Sequence, residues 1–439
     1  MKVLKFGGTS VGSAQRMKEV AKLITDGEQK IVVLSAMSGT TNTLVEISDY
    51  LYKKNPEGAN EIINKLEAKY KQHVDELYAT QEYKQKGLEV IKSHFDYIRS
   101  YTKDLFTLFE EKVVLAQGEL ISTAMVNFYL QECGVKSVLL PALEFMRTDK
   151  NAEPDPVYIK DKLRAQLDLY PDTEIYITQG FICRNAYGEI DNLQRGGSDY
   201  TASLIGAAVN ASEIQIWTDI DGMHDNDPRI VDKTSPVRHL HFEEAAELAY
   251  FGAKILHPTC VQPAKYANIP VRLLNTMEPT APGTLISNDT EKGKIKAVAA
   301  KDNITAIKIK SSRMLLAHGF LRKVFEIFES YQTSIDMICT SEVGVSVSID
   351  NTKHLNEILD DLKKYGTVTV DQDMCIICVV GDLEWENVGF EAKALDAMRD
   401  IPVRMISFGG SNYNISFLIR EEDKKKALQS LSDHLFNNK

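Results

Sequence analysis

Short apolar runs alternate with helical patterns over residues 1–290 of the chain. Runs that are rich in β-branched and other apolar residues predict strands at 3–6, 31–35, 137–140, 174–179 and 213–217. A loop or a helical pattern follows each run, and this order is typical of an α/β fold with a mostly parallel sheet. We therefore predict one α/β domain over residues 1–290.

A long helical insertion is predicted within this domain, at about residues 57–130. Its apolar residues recur every three or four positions, which places them on one face of a helix. They are Leu88, Ile91, Phe95, Ile98, Leu105 and Phe109. We interpret this stripe as a helix-packing surface.

A smaller pattern occurs twice after residue 295, beyond a turn-rich segment that is the best linker candidate. Each copy has a helix followed by a strand, a turn and a second strand, and two copies of a βαββ unit predict a duplicated α+β module. The modules are predicted at 300–370 and 371–439, and the strand near 295–310 is expected to pair with the second. Paired modules of this size suit regulation or dimerisation better than chemistry.

The first copy carries the clearer pattern. Residues 343–349 alternate apolar with small residues, which predicts a strand buried on one face. A helix is predicted at 319–331, and the residues expected on its buried face are Leu321, Val324, Phe325 and Phe328.

The acidic balance of the chain excludes some classes of partner. With 51 Lys and Arg against 62 Asp and Glu, the formal charge is −11, which disfavours nucleic acid and anionic membranes as partners. No apolar run predicts a transmembrane helix, and the N-terminus has no signal-peptide pattern. Six scattered cysteines predict a reducing, cytoplasmic compartment. Cys375 and Cys378 fall in an apolar run that predicts a buried strand, and we predict no metal site.

Two glycine pairs stand at strand-to-helix turns, where backbone amides can approach a phosphate closely. Lys5 precedes the first pair and Arg195 precedes the second. The spacing does not match the P-loop lysine pattern. The structural alternative for the second turn is a plain helix start that Ser198 or Asp199 caps.

A polar loop follows the predicted strand at 213–217. Its aspartates do not fit a calcium-binding loop, because no glutamate closes the EF-hand register. A nucleotide-binding loop at the carboxyl end of a strand is the functional interpretation, and an acidic solvated loop is the structural alternative.

Seven motifs together resemble those of the aspartokinases, of the single-function, lysine-sensitive type. They are KFGGTS at 5–10, SAMSGTTNTL at 35–44, GELIS at 118–122, RGGSDYTA at 195–202, WTDIDG at 217–222, DPR at 227–229 and FGAKILHP at 251–258. The paired C-terminal modules resemble ACT domains. The resemblance implies the amino acid kinase fold, a mostly parallel sheet with helices on both faces, followed by two ACT-like modules.

The resemblance implies ATP-dependent phosphorylation of the side-chain carboxylate of L-aspartate to 4-phospho-L-aspartate. This reaction is the first step towards lysine, threonine, methionine and diaminopimelate. Because the carboxylate is already ionised at neutral pH, catalysis consists of positioning and charge neutralisation. ATP and Mg²⁺ are the implied cofactors, and Mg²⁺ is expected to be held mainly through the ATP phosphates.

The resemblance also implies roles for single residues. Lys5 is expected to neutralise charge on the transferring phosphoryl group, and Asp199 to orient that lysine. Arg195 is expected to clamp a substrate carboxylate in bidentate geometry, and Glu119 to pair with the substrate ammonium group. The full set of expected substrate contacts is Thr41, Glu119, Arg195 and Ser198.

The implied nucleotide site draws on the first glycine turn and on the polar loop. Its expected residues are Lys5, Gly7, Gly8, Ser10, Thr218, Asp219, His224, Arg229 and Lys254. His224 occupies a position where related enzymes often have tyrosine, so we expect a changed ATP affinity and retained activity.

The first module resembles a lysine effector site, which implies L-lysine as allosteric ligand and a homodimer or homotetramer assembled through the modules. Asp336 is expected to receive the ammonium group of the effector, and Gly319 to open a helix N-terminus to its carboxylate. The expected effector contacts are Met314, Gly319, Leu321, Asp336, Ser341 and Glu342. Leu316 and Ala317 replace polar residues of lysine-sensitive relatives, so threonine or no effector is the alternative.

Other functions remain as alternatives. A kinase for glutamate or N-acetylglutamate would share the fold, but such relatives rarely combine the RGGSD motif with two ACT-like modules. An amino-acid sensor with an inactive kinase domain is opposed by the intact Lys5, Glu119, Arg195 and Asp199. A nucleic-acid-binding regulator is disfavoured by the formal net charge of −11. The structural alternative for the modules is that they serve in dimerisation alone.

Overall fold

The structure, a computed structural model, describes residues 1–103, 105–193, 196–252, 256–311 and 318–436. These residues form two compact units: Met1–Met223 with Ile255–Asn288, and His224–Lys254 with Asp289–Lys439. The domain predicted at 1–290 thus differs from the first unit by the segment His224–Lys254. That segment groups with the second unit because Asp225 accepts a hydrogen bond from Val298 and Asn226 donates one to Leu428.

The strands are, in chain order, β1 (Lys2–Phe6), β2 (Lys30–Leu34), β3 (Ser137–Leu140), β4 (Ile175–Gln179), β5 (Ile182–Arg184), β6 (Ile190–Asn192), β7 (Ile214–Thr218), β8 (His239–His241), β9 (Val271–Asn275), β10 (Thr284–Ser287), β11 (Ile295–Lys310), β12 (Ile338–Ser341), β13 (Gly344–Ile349), β14 (Thr367–Gly381), β15 (Val403–Ser407) and β16 (Asn414–Arg420).

The helices are α1 (Ala14–Ile24), α2 (Thr40–Tyr52), α3 (Pro56–Leu77), α4 (Gln81–Ser100), α5 (Leu108–Glu132), α6 (Ala142–Phe145), α7 (Pro156–Asp168), α8 (Gly197–Val209), α9 (Phe242–Tyr250), α10 (Gln262–Tyr266), α11 (Phe320–Ser330), α12 (Leu355–Lys363), α13 (Phe390–Ala397) and α14 (Lys424–Leu435).

A mostly parallel sheet forms the centre of the first unit, with the strand order β3-β4-β2-β1-β7-β9-β10. Only β10 runs antiparallel to its neighbour β9 within this series. β2 and β4 are buried along their whole length, as strands covered on both faces are. The predicted α/β fold and its strands are therefore confirmed.

The predicted helical insertion consists of α3, α4 and α5. Ile91, Phe95 and Ile98 are buried on α4, as the apolar stripe predicts. Leu105 and Phe109 are 75% and 55% exposed, so the prediction is wrong for these two residues. The cause is the end of α4 at Ser100, because the helical spacing no longer applies across the connection to α5.

α5 is the core helix of the first unit. By length and composition alone it would be able to cross a membrane, but 72% of its most apolar stretch is buried inside the protein. It begins with a capping box in which Thr107 and Glu110 bond to each other's backbone amides. Its apolar character therefore reflects burial against β3 and β4.

The sheet of the second unit has the strand order β12-β13-β11-β14-β16-β15. β11 pairs with β14 along most of its length and with β13 over its second half. β14 in turn pairs with β16. β11 therefore joins strands of both predicted modules, and the predicted module boundary at 370/371 falls inside β14.

Two details of the first module differ from the sequence prediction. On α11, Phe320, Val324, Ile327 and Phe328 are buried, whereas the predicted face residues Leu321 and Phe325 are exposed. All of β13 is buried, so the half-buried prediction is wrong. The second face is also covered, because Ser348 is fully buried and its hydroxyl accepts a hydrogen bond from the amide of Met337.

Candidate active site

A cavity of about 370 Å³ opens at the carboxyl ends of the parallel strands of the first unit. The segments that follow β1, β2 and β4 line it, together with α5 and the first turn of α8. Ligands of open α/β sheets bind at this edge. Among its lining residues are these predicted site residues: Lys5, Gly8, Thr41, Glu119, Ser198 and Asp199.

An ion pair connects two elements at this cavity. Lys5 Nζ, on β1, lies 2.7 Å from Asp199 Oδ1, on the first turn of α8. The two side chains are 10% and 13% exposed, so little water screens their attraction. An ammonium group has three donors, and Asp199 therefore fixes the position of Lys5 while donors remain for an anion in the cavity.

Glu119 contributes a buried carboxyl group to the wall of the cavity. The residue is 3% exposed, and its Oε1 accepts a hydrogen bond of 3.2 Å from the amide of Ala36. Its buried Oε2 has no hydrogen-bond partner within the described ranges. Desolvation raises the pKa of Glu119 to about 8. A carboxyl group of this kind is suited to pair with a cation that enters the cavity.

Two helices begin at the cavity with a glycine in the left-handed conformation. Gly39 precedes α2 with φ 83°, and Gly196 precedes α8 with φ 73°. In the described part of the chain, no side chain caps either helix at this residue. The amide of Thr40 donates to the carbonyl of Met37, and the later amides of the first turn of α2 and those of the first turn of α8 have no partner within their helices, as is typical of anion-binding helix N-termini. The alternative in which Ser198 or Asp199 caps α8 is wrong, because Gly196 takes that position.

The turn after β1 approaches the turn after β2 closely. A Cβ at Gly8 would lie 2.8 Å from the carbonyl oxygen of Ala36, so only glycine fits there. Ser10, in the same turn, is fully buried, and its hydroxyl shares a hydrogen bond of 2.7 Å with Thr276. The expected phosphate contact of the Ser10 side chain is therefore not supported by its position.

The expected nucleotide residues are divided between the two units. In the first unit, Thr218 ends β7 and its hydroxyl exchanges hydrogen bonds of 3.2 Å with Ile220, and Asp219 is exposed. In the second unit, His224 Nδ1 lies 2.9 Å from Thr234 Oγ1. Arg229 binds both carboxylate oxygens of Asp227, at 2.9 and 2.7 Å.

Several expected residues lie outside the described residues: Arg195, Lys254, Met314, Leu316 and Ala317. Within the described ranges, no group of three or more His, Cys, Asp or Glu side chains is placed to hold a metal ion.

The second unit contains those expected effector residues that the structure describes. Gly319 precedes α11 with φ 82°, and Leu321 and Glu342 are exposed. Ser341 also lies on the surface, at the end of β12, and its hydroxyl donates to the carbonyl of Gly344 at 3.4 Å.

Asp336 already has two partners in this unit. Its side chain is 1% exposed, and Oδ1 accepts hydrogen bonds from Lys301 Nζ at 2.7 Å and from the Tyr250 hydroxyl at 2.6 Å. Its Oδ2 is buried and has no hydrogen-bond partner in the described part of the chain. Asp336 thus has an open acceptor next to an internal cation.

Sequence reasoning missed some residues that line the cavity. Ser35 donates a hydrogen bond of 2.9 Å to Ser198 Oγ and is itself anchored by Ser122 of α5. Phe181 lines the cavity after β4. Both residues follow a buried strand at the carboxyl edge of the sheet, and that position is the signal that would have found them.

Comparison with known families agrees with this fold and site. The model of the amino acid kinase family matches residues 1–275, and an ACT domain model matches residues 377–435. The fold and the cavity therefore define a member of the amino acid kinase family.

The relatives place the chain more narrowly. It is 36% identical to aspartokinase 1, chloroplastic, of Arabidopsis thaliana, over 99% of this chain and 80% of that protein. It is 32% identical to lysine-sensitive aspartokinase 3 of Escherichia coli, over 99% of both chains. The crystal structure of E. coli aspartokinase III with aspartate and ADP superposes with a TM-score of 0.85 at 31% identity, over 99% of this chain and 100% of that one. The chain belongs to the aspartokinases.

Proposed function

We propose that the chain transfers the γ-phosphoryl group of ATP to the side-chain carboxylate of L-aspartate. A carboxylate oxygen attacks the γ-phosphorus, the bond from that phosphorus to the bridging oxygen of ADP breaks, and 4-phospho-L-aspartate and ADP form. The observation that carries the proposal is a single cavity with the Lys5–Asp199 pair and the buried, half-satisfied Glu119. The relative that holds aspartate and ADP supports it.

The cavity offers complementary groups for aspartate. We infer that Glu119 pairs with the ammonium group through its open Oε2. The uncapped first turns of α2 and α8, with Thr41 and Ser198, are suited to the two carboxylates, and Arg195 is the expected clamp for one of them. The nucleophile needs no base, because the carboxylate is ionised at neutral pH.

The ATP phosphates are assigned to the same edge of the sheet. Lys5 supplies the positive charge for the transferring group, and Gly7 and Gly8 allow close approach of the backbone. Thr218 and Asp219 extend the site along β7. Contacts of the nucleotide with His224, Arg229 and Lys254 stay predictions.

A Mg²⁺ ion fits this donor set only as a partner of the nucleotide. Asp199, which lines the cavity, already neutralises Lys5. We therefore propose that Mg²⁺ is held mainly by the ATP phosphates, where it would neutralise developing charge.

The ACT modules are proposed to bind an amino acid effector, and L-lysine is the favoured one. The T-state crystal structure of E. coli aspartokinase III with lysine and aspartate superposes at a TM-score of 0.82 and 32% identity, over 99% of both chains. In this chain, the open Oδ2 of Asp336 is the acceptor that an effector ammonium group would use. We further propose a cytosolic homodimer or homotetramer.

A hydroxylamine-trapping assay with ATP and Mg²⁺ tests the proposed reaction, because hydroxylamine converts an acyl phosphate to a stable hydroxamate. We expect hydroxamate from L-aspartate, and much less from L-glutamate or N-acetylglutamate. A folded protein that yields no aspartyl hydroxamate would favour the sensor alternative, and preference for glutamate would favour the related kinases.

A further inference from the structure

The turn between β4 and β5 holds Phe181 in a conformation that phenylalanine rarely adopts. Its φ is 68°, and the amide of Ile182 donates a hydrogen bond of 2.7 Å to the carbonyl of Gly180. A bond between residues two apart, around a central residue with positive φ, is the rare and strained form of the γ-turn. Strain of this kind persists only where the surroundings enforce it, and it is concentrated at functional sites.

Hydrogen bonds fix Phe181 on both sides. Its amide donates to Thr201 Oγ1 at 3.1 Å, and that hydroxyl donates to the carbonyl of Gly197 at 2.8 Å. The carbonyl of Phe181 accepts a bond of 2.7 Å from the amide of Leu193. Thr201 is fully buried, so it connects the strained turn to the first turn of α8 without competition from water.

The two turns also interlock sterically. A Cβ at Gly197 would lie 2.7 Å from Cδ2 of the Phe181 ring, and a Cβ at Gly180 would lie 2.5 Å from Ser198 Oγ. The glycine of each turn therefore makes room for the side chain of the other. The Phe181 ring is held against the start of α8, and it lines the same cavity as Lys5 and Glu119.

We infer that the Phe181 ring is a fixed wall that sets the length of the amino diacid that the cavity accepts, and that it excludes substrates one methylene longer than aspartate. The inference rests on the proposed function. A mobile side chain in this place would move aside for a longer substrate. An apolar pocket usually discriminates between substrates that differ by one methylene only about 10–200-fold. Here the backbone of Phe181 is fixed at both peptide groups and one flank of the ring is packed against Gly197, so the ring cannot move towards α8. Thr201 is a positioning residue for this wall.

Two substitutions at the same position test the wall directly. Phe181→Ala and Phe181→Leu both place a β-carbon in the left-handed turn, so they share the backbone penalty and differ in the side chain that faces the cavity. We expect Phe181→Ala to lower the ratio of kcat/KM for aspartate to kcat/KM for glutamate at least tenfold, and Phe181→Leu to lower it less. Equal ratios in the wild type and in both variants would overturn the inference.

A third variant keeps the test decisive if Phe181→Ala does not fold. Thr201→Val keeps the volume of the side chain but removes the hydroxyl that anchors the turn, and we expect a lower aspartate-to-glutamate ratio with an unchanged KM for ATP. A wild-type ratio in a folded Thr201→Val protein would contradict the role of the anchored turn. Failure of the proposed function is distinguishable, because the wild-type enzyme would then form no aspartyl hydroxamate.

Discussion

At Glu119, a carboxyl group in the cavity wall has one hydrogen-bond partner and almost no contact with water. Its pKa of about 8 means that the carboxyl is largely protonated in the free protein at neutral pH. A substrate ammonium group favours the ionised form, so binding of aspartate is expected to release a proton. The residue therefore links substrate affinity to pH.

We predict that the KM for aspartate falls as the pH rises from about 6.5 to 8.5, because a growing fraction of Glu119 is ionised before the substrate binds. Glu119→Gln removes this dependence and raises KM at least tenfold. Steady-state kinetics across the pH range, with buffers of constant ionic strength, measure both effects. A KM profile that is the same in the wild type and in the variant would contradict the role of Glu119.

The same group makes a prediction for stability. Its folded pKa of about 8 exceeds the value of about 4.3 for an exposed glutamate, so the folded state binds more protons between these values. The Glu119 contribution to stability is present at low pH and is lost as the pH rises through this window. Thermal unfolding should show a smaller decrease in Tm from pH 6 to pH 8.5 in Glu119→Gln than in the wild type. An equal decrease would show that Glu119 is not buried as described.

The sequence was sufficient to predict site residues whose side chains carry a charge. It was not sufficient to predict a residue whose role depends on its backbone conformation and packing. Lys5, Glu119 and Asp199 stand in motifs whose side chains suggest a charge role, and the structure brings them to one cavity. Phe181 carries no such chemistry, and its importance comes from a strained turn that only the backbone reveals. Ser10 illustrates the opposite case, because a hydroxyl beside a glycine turn suggests a phosphate ligand although it is buried against Thr276.

At the scale of elements, the interlocked turns after β4 and before α8 depend on glycine. We predict that Gly180→Ala destabilises the protein by about 1–3 kcal/mol, because the new methyl group would overlap Ser198. Gly410→Ala is the matched control, since nothing lies within 4 Å of the added carbon. Urea denaturation of both variants gives the comparison. Equal stability of the two would mean that the turns can separate at little cost.

The site around Asp336 makes a separate prediction for the second unit. Asp336→Asn removes the charge that is expected to attract an effector ammonium group, so we expect the concentration of L-lysine for half-inhibition to rise at least tenfold. Asp360→Asn, on an exposed ion pair with Lys363, is the control and should leave inhibition as in the wild type. Unchanged inhibition in Asp336→Asn would remove Asp336 from the effector site.

Elements buried on both sides were well predicted, and elements whose periodicity is interrupted were not. β2 and β4 are rich in apolar and β-branched residues, are buried along their whole length, and appear where the sequence predicts them. The stripe on α4 was extended too far, because the helix ends at Ser100 without a glycine or proline to signal the break. β13 resembles a half-buried strand in sequence, since nothing local indicates that Ser346 and Ser348 are also buried.

At the scale of the whole molecule, the order of motifs and the duplicated C-terminal pattern were sufficient to assign the family, and the match of the amino acid kinase and ACT domain models confirms it. The domain limits were less predictable. β11 is a strand of 16 residues that pairs with strands of both modules. The two predicted modules are consecutive segments of the chain, whereas the long strands β11 and β14 belong to the part of the sheet that both modules share.

The most direct test of the central claim is the turnover number of Lys5→Met in the aspartyl hydroxamate assay. Lys2→Met is the matched control, because Lys2 lies on the same strand and, within the described residues, forms an ion pair with the exposed Glu28. Loss of a positioned charge at a transferring phosphoryl group is expected to lower kcat by about 10²–10³-fold. The account predicts this loss in Lys5→Met and a wild-type kcat in Lys2→Met. A folded Lys5→Met protein with the kcat of the wild type would contradict it.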